Sequence, residues 1–142
     1  IEAADAFENG DYQIAYKMME EVLSEDIRCI DAHAHLGNWE FNLSNTSFGT
    51  MQERVRRRFE AGLRIAELSF GKKFHDLLPW GYVNNRPYLR CLHGYGLCLW
   101  RSGKIEAARE VFEKMLWLNP WDNQGARFLL ADIDAGKCWK TA

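Results

Sequence analysis

The run Cys29-Ile30-Asp31-Ala32-His33-Ala34-His35 gathers the densest set of metal-ligating side chains in the chain. Thiolate and imidazole are the ligands of zinc and similar ions, so a metal centre is the first chemistry to test there. Helical spacing argues against it. Side chains on a helix advance about 100° per residue, so His33 and His35 point roughly 200° apart and do not grip one ion. Cys29 and His33 share a face at i and i+4, but no further ligand lies close by in sequence. The expectation is satisfied or exposed histidines, with no metal and no cofactor.

Spacings that carry catalysis are missing too. The chain has no H-E-x-x-H, no G-x-S-x-G, no Gly-rich phosphate loop and no Cys/His pair of known catalytic spacing. Nothing selects one acid and one base from the scattered Glu and His, so no enzyme activity is expected. Phosphate recognition has one candidate surface: Arg54, Arg56, Arg57 and Arg58, followed by Arg64, Lys72 and Lys73. Glu53, Glu60 and Glu67 are interleaved with these bases at helical spacing, which suits a self-paired, solvated face. A net charge of −2 adds no general attraction to polyanions. Nucleic-acid binding through Arg54, Arg57, Arg58 and Arg64 is therefore the weaker alternative.

Residues with no chemistry of their own leave binding as the function to place, and the elements decide where. At 142 residues the chain fits one domain with a sizeable core. With 3 Pro and 6 Trp, long helices and wide apolar contacts are both permitted. The four cysteines, Cys29, Cys91, Cys98 and Cys138, make no C-x-x-C pair and lie in apolar or helical stretches, which suits a reducing, cytoplasmic setting. Neither a signal-peptide pattern nor an apolar run of transmembrane length is present, so no membrane partner is expected. Ile1 already lies inside a helical pattern, so a trimmed N-terminus is expected.

Leu89, Leu92, Leu97, Leu99 and Trp100 mark one helix, which Ser102-Gly103 ends. Ile105, Ala108, Val111, Phe112, Met115 and Leu116 mark a second at i, i+3, i+4, i+7 spacing, stopped before Pro120. Gly96, Gly103, Ala108, Phe112 and Pro120 stand at the intervals of the tetratricopeptide repeat, and the segment resembles that family. Gly10, Ala15 and Met19 repeat part of the pattern, with Leu36-Gly37 at the place of Tyr95-Gly96. The run from Trp80-Gly81 through Asn85-Arg86-Pro87-Tyr88 to LNPWDNQGARFLL looks like bacterial members of the family that carry no assigned activity.

The resemblance implies an all-α chain of antiparallel helical hairpins stacked as a right-handed solenoid. Residues 1–26 would end a first hairpin, and 28–70 form a second, degenerate one with the polar insert 44–49. Residues 71–87 make a long loop, 88–122 the best-matching repeat and 123–136 a capping helix. Transferred by register, the concave face would present Asn38, Phe41, Asn42, Arg90, His93, Trp100, Arg101 and Arg127. An apolar floor of Phe41 and Trp100, flanked by arginines, would suit a partly acidic peptide. The expected function is protein–protein interaction or scaffolding. The alternatives are self-assembly into a homo-oligomer through open solenoid ends, and the basic surface described above. Arg90 and Arg127 would equally serve by pairing internally with Asp122 or Asp134.

Overall fold

Of the five described glycines in the left-handed region, three close a helix in the same way. Gly10, Gly103 and Gly136 have φ of +87°, +82° and +74°, each just beyond a helix. The amide after each glycine donates five residues back: Asp11 to Ala6, Lys104 to Leu99 and Lys137 to Asp132, at 2.9, 2.9 and 3.0 Å. This closure satisfies helix-end carbonyls and turns the chain sharply.

A computed structural model describes residues 2–43, 50–71, 74 and 76–139. Its helices are α1 (Glu2–Glu8), α2 (Tyr12–Glu25), α3 (Ile30–Leu43), α4 (Thr50–Phe70), α5 (Arg86–Arg101), α6 (Ile105–Leu118) and α7 (Ala126–Asp134). No strand occurs among the described residues, so the chain is all-helical there. The polar insert 44–49 expected between α3 and α4 lies outside the described residues, as do Lys72 and Lys73. None of the described helices is long and apolar enough to cross a membrane.

Helices α1 and α2, α3 and α4, and α5 and α6 pack as consecutive pairs, and α3 and α4 both lie against α5. Two aromatic side chains hold the pairs at close range. Phe59 of α4, 2% exposed, inserts between Gly37 of α3 and Gly94 of α5. Phe112 of α6, fully buried, sits against Gly96 of α5. Burying a Phe in this way contributes about 1.5–3 kcal/mol, and only glycine lets the helix backbone come near enough to the ring. The main core runs from α3 to α7, while Ala3, Ala15, Leu36 and Trp39 form a smaller one between α1, α2 and α3.

A buried carboxylate ties three helices together. Glu40 of α3 is 3% exposed and receives Arg58 Nη2 at 3.3 Å and Arg54 Nε at 3.5 Å from α4. Tyr16 of α2 reaches the same carboxylate, and burial followed by that contact holds its hydroxyl protonated well above its ordinary range.

Residues 78–80 of the long 71–87 segment are held against the end of α6. The Leu78 amide donates to Leu118 O at 2.7 Å, and the Trp80 amide to the buried Asn119 side chain at 3.3 Å. Arg86 and Arg90 stack over the Trp80 ring at 5.1 and 5.5 Å. A single 3-10 turn at Val83–Asn85 then leads into α5. That helix starts at Arg86 instead of Tyr88, because Pro87 has the backbone angle of a first helical turn and needs no hydrogen-bonded amide there. Helix α7 begins three residues later than the spacing suggests. Asp122, at φ +51°, accepts the Ala126 amide at 2.6 Å and the Arg127 amide at 3.1 Å, which fixes the helix start beyond Gly125.

Candidate functional site

Helices α3 and α5 lie side by side, and their paired first faces make a polar cleft of about 210 Å³. Asn38, His35 and Ala34 contribute from α3, and Arg90, His93 and Gly94 from α5. The Phe59 ring, reaching through from α4, also lines it. Three of the residues expected on the concave face, Asn38, Arg90 and His93, therefore come together around one opening.

Charge inside the cleft is organised by Asp31. Its carboxylate receives Arg90 Nη1 at 2.9 Å and lies 3.3 Å from His35 Nε2. The His35 contact, reinforced by Arg90, holds the Asp31 carboxyl below its usual range. His93 sits deeper. Burial lowers its pKa, because a charged imidazolium would lose its water there, while the nearby Asp122 carboxylate works in the opposite direction. His33 faces inward, away from His35, with Nε2 2.8 Å from Ile27 O. Among the described residues, no three His, Cys, Asp or Glu side chains gather where they could hold a metal ion.

The apolar part of the expected face is differently arranged. Trp100 is 2% exposed and Phe41 8% exposed, so neither offers an open floor. The reason is the chain beyond α7. Trp139 packs edge-on against both, with ring centroids 5.3 Å from Phe41 and 5.6 Å from Trp100. Trp100 Nε1 donates to Lys137 O at 3.2 Å. Arg101 lies over the Phe41 ring at 3.9 Å, and its Nη1 donates to Phe41 O at 3.3 Å. Asn42 is exposed at the end of α3, apart from the cleft. Arg127 is exposed and pairs with Asp122 at 3.2 Å, the internal pairing weighed above.

No family model, curated protein or solved structure matches the chain.

The basic surface is internally paired at each of the four positions. Arg54 and Arg58 turn to Glu40, Arg57 bonds Glu53 at 3.0 Å, and Arg64 bonds Glu67 at 2.9 Å. Sequence reasoning missed a second concavity, an open groove of about 700 Å³ lined by Phe74, Trp117, Leu116, Glu110, Glu113 and Lys114. Trp117 is 70% exposed there, on the side of α6 away from its buried stripe. A large aromatic among outward-facing charges was the available signal. Sequence reasoning also missed Trp139, whose docking depends on contacts with residues 39 and 98 positions away.

Proposed function

We propose that the protein is an interaction module, a tetratricopeptide-like right-handed stack of helical hairpins that receives a protein or peptide segment across α3 and α5. The observation that carries this reading is the shared face of α3 and α5: Phe41 follows Asn38 at i+3, and Trp100 follows His93 at i+7. The Asn38–Arg90–His93 cleft supplies hydrogen-bond donors and acceptors. The Phe41–Trp100 slot on that face already holds the chain beyond α7, through the Lys137 carbonyl and the Trp139 ring. A linear segment following the two would meet a polar site and an aromatic site in succession, the usual division between orientation and anchoring. The small residues against Phe59 and Phe112 support the solenoid assignment: Gly37 and Gly96 mark close crossings within the α3–α4 and α5–α6 hairpins, and Gly94 marks one between successive hairpins.

Asn38→Trp tests the reading, since Asn38 is exposed and a large ring there fills the cleft without entering the core. Affinity capture from the source cell, with wild-type and variant baits of matched helicity, should lose the same retained protein in the variant. An unchanged set of retained proteins would refute the placement.

A second reading, self-assembly, is favoured by the Trp117 groove, whose apolar floor has acidic Glu110 and Glu113 beside it. Light scattering behind size exclusion decides it: a discrete oligomer that Trp117→Ser converts to monomer would support the reading, and a wild-type monomer would refute it. Nucleic-acid binding is disfavoured by the carboxylate already beside each of Arg54, Arg57, Arg58 and Arg64.

A further inference from the structure

Arg101 is the ill-matched residue of the aromatic slot. Its guanidinium is pressed against Phe41, yet Nε and Nη2 are buried with no hydrogen-bond acceptor among the described residues. No Asp or Glu pairs with it there, in contrast to Arg54, Arg58, Arg64, Arg90, Arg109 and Arg127. Burial pulls its pKa downward, the mark of a cation losing hydration without gaining a counter-charge. A buried guanidinium with idle donors is costly, and a carboxylate is the acceptor that matches its fork.

The occupant of the slot satisfies only half of it. Trp139 supplies rings for Phe41 and Trp100, and Lys137 supplies a carbonyl for the Trp100 indole. The three residues of that stretch, Lys137, Cys138 and Trp139, bring no acid side chain. The stretch is held from its other end by ordinary helix-end contacts, the Lys137 amide on Asp132 O and Lys137 Nζ on Asp132 Oδ1. Those contacts would survive if Trp139 swung out.

We propose that the Phe41–Trp100 slot is the docking site for an extended partner segment carrying an aromatic side chain beside a carboxylate, and that Trp139 fills it in cis until such a segment displaces it. The inference rests on the interaction-module reading and adds the partner's chemistry and a built-in competitor. The partner reproduces the ring contacts and adds a charge-assisted bond to Arg101 that the chain's own segment lacks. The competitor scales down the apparent affinity for every partner by the fraction of molecules whose slot is open, so weakly matched segments are rejected.

The test uses the full chain and fluorescently labelled heptapeptides copied from residues 136–142. One carries Cys138→Asp and Lys140→Asp, a second has Ser at both positions, and a third is the Asp peptide with Trp139→Ala. Protein bearing Trp139→Ala should bind the Asp peptide about tenfold more tightly than wild type, if the docked form is favoured by that factor. It should prefer the Asp to the Ser peptide by about tenfold, the value of one charge-assisted hydrogen bond. Adding Arg101→Gln should abolish that preference, and the peptide without Trp should not bind.

Equal affinity of wild type and Trp139→Ala for the Asp peptide would overturn the proposal, as would equal binding of Asp and Ser peptides. A dimer that depends on Trp139 would overturn it in favour of segments exchanged between copies. If Trp139→Ala loses helicity, wild type carries the test through amide exchange. Saturation with the Asp peptide should raise exchange at residues 138 and 139 while the Lys137 amide stays protected, and unchanged exchange at both would overturn the proposal. Failure of these outcomes leaves the Asn38→Trp capture result intact, so the two readings fall separately.

Discussion

A single methyl group at Gly94 should unsettle the whole packing of α3, α4 and α5. A Cβ built there stands 2.2 Å from Phe59 Cζ, 2.3 Å from Cε1 and 2.7 Å from Cδ1. Carbon atoms settle at about 3.5–4.0 Å, so the overlap exceeds about 1 Å. The ring has no retreat, because on its other side a Cβ at Gly37 would already be 2.8 Å away. Overpacking of this kind costs about 1–3 kcal/mol, and a clamped ring places Gly94→Ala at the upper end. Replacing a helical glycine by alanine returns about 1 kcal/mol of helix propensity. The net loss is about 2 kcal/mol, or a fall of about 8 °C in Tm for a chain of this size. Phe59→Leu should cost about 1–2 kcal/mol by leaving a small void, but in the double variant the Ala methyl enters that void. The combined loss should then fall short of the sum of the single losses by about 1 kcal/mol. Urea unfolding followed by helical circular dichroism measures all four corners of the cycle. Additivity within about 0.5 kcal/mol, or a Gly94→Ala variant as stable as wild type, would refute the clamp.

Further outcomes follow from four other sites. Asp122→Ala should cost about 2 kcal/mol in the same assay, since it removes the acceptor of two α7 amides and leaves a non-glycine residue at φ +51°. Asp122→Gly should cost less, because glycine relieves the backbone, and equal losses would discount the strain. His93 should make stability fall as pH drops through its unfolded value of 6.5, since its folded pKa is depressed by burial and the unfolded chain takes the proton first. His93→Gln should flatten that limb of the pH profile; an unchanged limb would remove His93 as its cause. Asp31, with its carboxyl held low, contributes stability present above 3.8 and lost only at more acid pH, so the two limbs separate. Cys91 and Cys98 are buried, with burial pushing their thiols up to about 12, so alkylation near neutrality should reach exposed Cys138 long before either. Early labelling of Cys98 would show that α5 opens readily.

Much of the helical frame was written in local pattern. Gly10, Gly103 and Gly136 announce helix ends because reversal of φ is a property of one residue, and Pro120 stops α6 for an equally local reason. Val55, Phe59 and Ala66 announce the buried stripe of α4 because helical periodicity sorts them onto one side. Glu40 defeats that logic. Its type says solvent, and only the arrival of Arg54, Arg58 and Tyr16 from two other helices makes its burial affordable. The candidate face divides along the same line. Asn38, Arg90 and His93 share an opening because register along α3 and α5 puts them there. Trp100 has the same register but a different fate, because the stretch that covers it comes from beyond α7.

The division of the interior into two unequal cores has a consequence for how the molecule breathes. Helices α1 and α2 hold to the rest through Ala3, Ala15, Leu36, Trp39 and the Phe7–Trp39 stack at 4.7 Å, with Tyr16 on Glu40 as a polar pin. That is a narrow seam beside the continuous packing from α3 to α7. Cooperative units with few shared buried contacts open at different free energies, so amide protection should fall into two tiers. Residues 2–25 would exchange through a partial opening that leaves the α3–α5 cleft closed. The α3–α5 face would thus keep its shape through fluctuations that loosen the two helices beside it.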